Sequence, residues 1–245
     1  MMLTIKDDII LKISHFVIIF LVLFSFHIHA NSTLGGPTGL IVMPTAESLK
    51  YKEFNVGGNY LFPAGNNSTY EYVYKLNLGT FQNWEIGAVG GKTPTEGMYL
   101  NVKYYLMSSE SELPLFIAIG LQNISSSQKT DLYMVASKKL REDLGLHLGF
   151  KAIFNTKITP VFMAGINYIV SDKLEVLADL SPSTVLDNLT ETYIVNIGAN
   201  YKVSSTFTVN AHLLDIASKT AVNIESDLEE GGMRIVLGVT YSKFL

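Results

Sequence analysis

The side chains with the most evident chemical potential in this 245-residue chain are His147 and His212, with the carboxylates Glu175 and Asp179. A histidine can act as a base toward a serine while a carboxylate orients its ring. Neither histidine has a serine close by in sequence, and His212 is followed by Leu-Leu-Asp. His15, His27 and His29 fall in an apolar N-terminal region. No His-Glu-x-x-His spacing occurs, so a helix-borne zinc site is not indicated. The chain has no cysteine, which excludes a disulfide framework, a thiolate metal site and a Cys nucleophile. Gly87, Gly90 and Gly91 lie inside an alternating segment and do not open a helix, so they are not a phosphate loop. These residues predict no enzyme, no cofactor and no metal. A barrel hydrolase is the third-ranked reading.

The elements that carry those residues are strands. Leu144, Leu146, Leu148, Phe150 and Ala152 oppose Gly145, His147, Gly149 and Lys151. Leu174, Val176, Ala178 and Leu180 oppose Glu175 and Asp179, and Phe207, Val209, Ala211 and Leu213 oppose Thr208, Asn210 and His212. Period-2 alternation of this kind gives a strand one apolar and one polar face. About twelve such segments are predicted, near 51–62, 69–81, 83–91, 97–107, 114–123, 130–140, 143–154, 160–170, 173–181, 192–203, 205–216 and 233–244. Their lengths fit a tilted membrane strand of about 9–11 residues.

Three features favour a membrane barrel over a soluble sandwich. Charged residues are only 16% of the chain against 48% hydrophobic, where a soluble domain carries about 25% charge. Tight connections such as Gln82-Asn83 and Glu142-Asp143 alternate with longer linkers such as 182–191 and 217–232, as in barrels with short periplasmic turns and longer outer loops. An even strand count closes without an exposed edge. The fold class expected is all-β, an antiparallel transmembrane barrel of about 12 strands. The net charge of −4 gives no case for nucleic acid.

With apolar side chains facing lipid, the polar face lines a lumen. Its candidates are Lys75, Glu85, Lys103, His147, Lys151, Glu175, Asp179, Lys202, His212 and Arg234. Mixed signs suit charges that pair across a narrow interior, whereas a selective pore tends to carry one sign. The sharper alternative is a path for a small solute or glycan, with Tyr99, Tyr105 and Tyr168 as stacking surfaces. Tyr60, Tyr70, Tyr104, Tyr193, Tyr201 and Tyr241 fit an interfacial aromatic girdle.

Residues 16–26 form an apolar run preceded by Lys6 and Lys12, and Ala30 offers a cleavage site. The expectation is a signal peptide over 1–30, a distinct segment over 31–50 and the barrel over 51–245. The final segment, Ile235 to Leu245, has a glycine, alternating apolar residues and Phe244 near the end. It resembles the last-strand signal of outer-membrane proteins, which implies a bacterial outer membrane, lipid as surroundings and the barrel assembly machinery as partner.

The segment 31–50 does not alternate. It holds Gly36-Pro37-Thr38-Gly39-Leu40-Ile41 and Met43-Pro44-Thr45-Ala46. The glycines permit close backbone approach and the prolines lack the donor a ladder needs, so no regular strand is expected there. The segment is either a plug in the barrel mouth or lumen, or a leader to the first strand. The motif Gly36, Pro37, Gly39, Leu40, Met43, Pro44, Thr45 and Ala46 is similar to the N-terminal motif of the YjbH family of outer-membrane barrels. That resemblance implies a non-enzymatic role in envelope or exopolysaccharide biology, with polysaccharide as a partner. A narrow channel for small solutes or glycans is the second reading.

Overall fold

In the computed structural model the chain is a closed antiparallel barrel. The structure describes residues 31–63, 71–92, 97–106, 115–124, 130–154, 158–182, 193–216 and 233–245. The expected signal peptide and most of the longer linkers lie outside the described residues. Twelve strands run β1 (Glu53–Pro63), β2 (Glu71–Phe81), β3 (Trp84–Gly91), β4 (Gly97–Leu106), β5 (Leu115–Ile124), β6 (Thr130–Arg141), β7 (Leu144–Phe154), β8 (Ile158–Ile169), β9 (Leu174–Pro182), β10 (Tyr193–Lys202), β11 (Phe207–Leu214) and β12 (Arg234–Phe244). Each pairs with its sequence neighbours, and β1 pairs with β12 from Glu53↔Phe244 to Pro63↔Arg234. Closure leaves no strand edge unpaired in the bilayer.

The period-2 pattern becomes a two-faced wall. In β2, Val73, Lys75 and Asn77 are buried, while Tyr72, Tyr74 and Leu76 are exposed. In β7, Gly145, His147, Gly149, Lys151 and Ile153 turn inward, while Leu148 and Phe150 are exposed. Leu100, Ile119, Leu132, Met134, Phe162, Ile166, Val176, Ile197 and Leu237 continue the exposed apolar band around the barrel. In water such a band would be a severe aggregation liability, and in a bilayer it is the solvated face.

Aromatic rings flank the band at both ends. At the end with the tight turns 82–83 and 142–143, Trp84 packs on Tyr104 with ring centroids 4.8 Å apart, and Phe207 on Tyr241 at 6.2 Å. At the opposite end Tyr60 lies 6.3 Å from Tyr72. Of the six expected girdle tyrosines, Tyr60, Tyr193 and Tyr201 are well exposed, Tyr104 and Tyr241 are half-buried on the outer face, and Tyr70 lies outside the described residues. Arg141 sits beside Tyr168 and pairs with Asp143 at 2.8 Å on the tight-turn rim, where a headgroup region accommodates charge. The start of β1 and the end of β12 share this rim, so the chain enters the barrel from the side of the short turns.

Candidate functional site

Residues 31–49 lie inside the barrel, and Lys50 is exposed where the chain turns into β1. Leu40, Ile41, Val42, Met43 and Ala46 are at most 4% exposed, as are Thr33, Leu34 and Leu49. The segment is a compact double turn rather than a strand. Thr33 N–H donates to Pro37 O at 2.8 Å, Leu34 N–H to Ile41 O at 2.8 Å and Leu40 N–H to Met43 O at 2.9 Å. Gly36 takes φ of 107°, which a side chain would strain. Gly39 faces Met43 O so closely that a Cβ would lie 2.3 Å from it, so the second turn closes only on a glycine.

Turns this tight leave many backbone donors and acceptors without internal partners. A lumen must supply them, because buried amides and carbonyls are costly unpaired. Asp179 on β9 accepts from three consecutive amides through Oδ2: Ile41 at 3.0 Å, Val42 at 2.8 Å and Met43 at 3.2 Å. Its other oxygen accepts from Asn196 at 2.7 Å and Ser181 at 3.2 Å. Glu85 on β3 accepts from Thr38 N–H at 2.8 Å, the Thr38 hydroxyl at 2.7 Å and Leu49 N–H at 3.1 Å. The lysines answer the carbonyls. Lys75 donates to Ser32 O and Thr33 O at 2.9 and 3.0 Å. Lys103 donates to Thr38 O at 3.0 Å, also bonds the Thr38 hydroxyl and Glu47 O, and lies 3.6 Å from Glu85. Asn77 donates to Gly36 O at 2.7 Å.

The histidines belong to a separate hydrogen-bonded belt near the tight-turn end. Thr240 donates to Asn210, Asn210 to Asn200, and Asn200 to Glu175 at 3.2 Å. From the other side Asn167 donates to Glu175 at 2.8 Å and meets His147 Nε2 at 2.9 Å, while His147 Nδ1 meets Ser137 Oγ at 2.7 Å. Ser137 Oγ in turn accepts from Ala46 N–H at 2.9 Å. His212 lies 3.2 Å from Asn200. Sequence spacing hid the Ser137–His147 contact, because the two residues are cross-strand partners ten positions apart. A register estimate for the 142–143 turn would have found it. The serine is 3% exposed and bonded to the inner segment, so its arrangement is that of a structural network.

Each lumen candidate stands on the inner face. Lys75, Glu85, Lys103, Asp179 and the belt members His147, Glu175 and His212 are accounted for above. Lys151 faces Asp131 at 3.5 Å, and Lys202 and Arg234 lie half-buried near opposite rims. Pairing between wall charges is therefore only part of the pattern: most of the buried charge is directed at the backbone of 31–50. The expected sugar-stacking set is corrected at one residue. Tyr168 is 42% exposed on the outer face, because position 168 has the parity of Phe162 and Ile166. Tyr99 is buried in an apolar cluster with Leu34 and Leu40, and Tyr105 packs near Phe116 at 6.1 Å. Among the described residues no cluster of three or more metal-ligating side chains occurs.

No family model matches the chain, and no curated protein does. Solved structures match in fold. The KdgM porin aligns at a TM-score of 0.54 with 13% identity, covering 78% of this chain and 99% of that one. The KdgM porin in complex with disordered oligogalacturonate gives 0.55 at the same identity and coverage. The NanC porin gives 0.50 at 12% identity, again covering 78% and 99%. At these identities the likeness is one of fold. Together with the apolar exterior and closed wall, it makes this chain a porin-like outer-membrane β-barrel of twelve strands.

Proposed function

We propose that this protein is a non-enzymatic outer-membrane barrel held closed by its own residues 31–50, acting in envelope biology linked to exopolysaccharide. The observation that carries the reading is the direction of the lumen charges. Asp179, Glu85, Lys75 and Lys103 are buried, and their hydrogen bonds go to the backbone of one segment. A wall built to pass a solute keeps such groups free for that solute. The exopolysaccharide link follows from the resemblance of the Gly36–Ala46 motif to the YjbH family.

Planar-bilayer recording tests the closed state. The wild-type protein is expected to insert without steady conductance, and deletion of 35–46 is expected to open it. Steady conductance of equal size in both proteins would overturn the reading. The envelope link is tested by measuring surface polysaccharide in a strain lacking the protein. An unchanged yield and composition would remove it. The second reading, a narrow channel for solutes or glycans, is supported by the porin fold and by the oligogalacturonate held by one neighbour. In this chain a glycan would need residues 31–50 to move first.

A further inference from the structure

Residues 31–50 are held unequally by the wall around them. On β2, β3, β4 and β9 charged and amide groups bond its backbone, as described above, beside an apolar cluster of Leu34, Leu40, Ile41 and Val42 with Val73, Val89, Tyr99 and Leu177. Against β5–β8 the segment packs mainly through apolar side chains, with Ala46 to Ser137 as a hydrogen bond.

That second wall is layered. Register places Ala118, Val135, Gly149 and Met163 in one row across β5, β6, β7 and β8: Ala118 opposes Val135, Val135 opposes Gly149, and Gly149 opposes Met163. Met43 fills the row from the inner segment. A Cβ on Gly149 would lie 2.8 Å from Val135 Cγ1, 3.0 Å from Met163 Cε and 3.2 Å from Met43 Cε. Three apolar tips therefore converge over one glycine. Met43, Val135 and Met163 are each at most 1% exposed.

The rows on either side are polar. Toward the tight-turn end come Ser137 and His147, then Asn167, beside an open pocket that Glu47, Lys138 and Glu142 also line. Toward the other end come Tyr133 opposite Lys151, then Asp131 opposite Ile153 with Gln122 beside it. Lys151 Nζ lies 3.5 Å from Asp131 Oδ2, which accepts from Gln122 at 3.3 Å and Asn123 at 2.9 Å, while Asp131 Oδ1, Gln122 Oε1 and Tyr133 Oη are buried with no hydrogen-bond partner among the described residues. Lys151, Asp131, Gln122 and Tyr133 make this layer a polar one. An apolar layer one residue deep between two polar layers is the geometry of a dewetting gate.

We propose that the passage through this barrel runs between residues 31–50 and the β5–β8 wall, with Met43 as its hydrophobic gate and small hydrated ions as its permeants. The inference rests on the closed-barrel reading above and adds where and how that barrel opens. Lys151 and Asp131 form the polar lining on the loop side and set charge preference. Opening requires only that the Met43 side chain swing off Gly149, while Asp179 and Glu85 keep the segment in place.

Single-channel recording of Met43→Ala, Met163→Ala, Leu34→Ala and the 35–46 deletion tests this. Leu34 is equally buried but belongs to the apolar cluster of the opposite wall, so its truncation is the control. Either methionine truncation is expected to give small steady currents, several-fold below those of the deletion, while Leu34→Ala stays silent. Lys151→Gln in the Met43→Ala background is expected to shift the reversal potential toward cations. Silence of both methionine variants beside a conducting deletion overturns the gate and leaves the closed barrel standing. Conductance in Leu34→Ala equal to that in Met43→Ala also overturns it. Silence of the deletion overturns the gate and the closed-barrel reading together.

Discussion

At the scale of residues, one carboxylate oxygen does the work of a helix cap. Asp179 Oδ2 gathers three successive amides of a turn that has no other acceptor for them in the hydrogen bonds described. Asp179→Ala leaves those donors buried, at about 1–3 kcal/mol for each group left unpaired. The expected outcome is release of residues 31–50 with the barrel intact, seen as faster protease cleavage after Lys50 while the folded barrel keeps its gel mobility. Asp179→Asn keeps one acceptor oxygen and is expected to be milder. Ser137→Ala removes the acceptor of Ala46 N–H and a partner of His147, a loss of about 1–2 kcal/mol on the same grounds. It is expected to leave no esterase or peptidase activity to lose. A hydrolytic activity present in the wild type and absent from this variant would contradict the proposed non-enzymatic role.

At the scale of elements, the strands were legible because alternation is a property of neighbours. One face meets lipid and the other a polar interior, so His147, Lys151, Glu175 and Asp179 were placed inward by parity alone. The contacts of 31–50 were not legible. Thr38 meets Glu85 across 47 positions and Ile41 meets Asp179 across 138, and no local pattern encodes such a pairing. The mixed signs of the lumen had a cause that the strands themselves do not contain, namely the carbonyls and amides of an inner segment. Tyr168 departs from the expectation because a tyrosine suits sugar and lipid interface equally, and only its parity decides.

Two predictions belong to the elements. Phe150 is 48% exposed near the middle of β7, and Phe150→Arg is expected to destabilise the barrel by about 2–4 kcal/mol in lipid. Folding titrations in urea with liposomes measure this, and a change below about 0.5 kcal/mol would place that face out of the bilayer. Gly79 in β2 lets the incoming chain pass against the wall: a Cβ there would lie 1.9 Å from Lys50 O and 2.9 Å from Leu49 O. Gly79→Ala is expected to expel the entry of the inner segment and speed tryptic cleavage after Lys50, which is already exposed but held against β2, with the twelve-stranded wall still resistant.

At the scale of the whole molecule, barrel and inner segment complete each other. The wall alone would leave Lys75, Glu85, Lys103 and Asp179 facing an open lumen without the backbone partners they have here. The segment alone has turns whose amides lack acceptors. Joined, the charges meet backbone dipoles of the opposite sense, and the interior closes. Because 31–50 leads directly into β1 at the tight-turn rim, it sits inside the barrel at high effective concentration and needs no separate partner.

The measurement that tests this most directly is a cysteine cross-link, which the cysteine-free chain makes unambiguous. Ala46 N–H and Ser137 Oγ lie 2.9 Å apart, so Ala46→Cys combined with Ser137→Cys places two thiols close together across the segment and the wall. The account predicts rapid oxidation to an intramolecular disulfide in the membrane-inserted protein. It predicts none for Ala46→Cys combined with Ser242→Cys, whose second position is on β12. Equal cross-linking of both pairs, or of neither, would contradict a fixed seat for residues 31–50 inside the lumen.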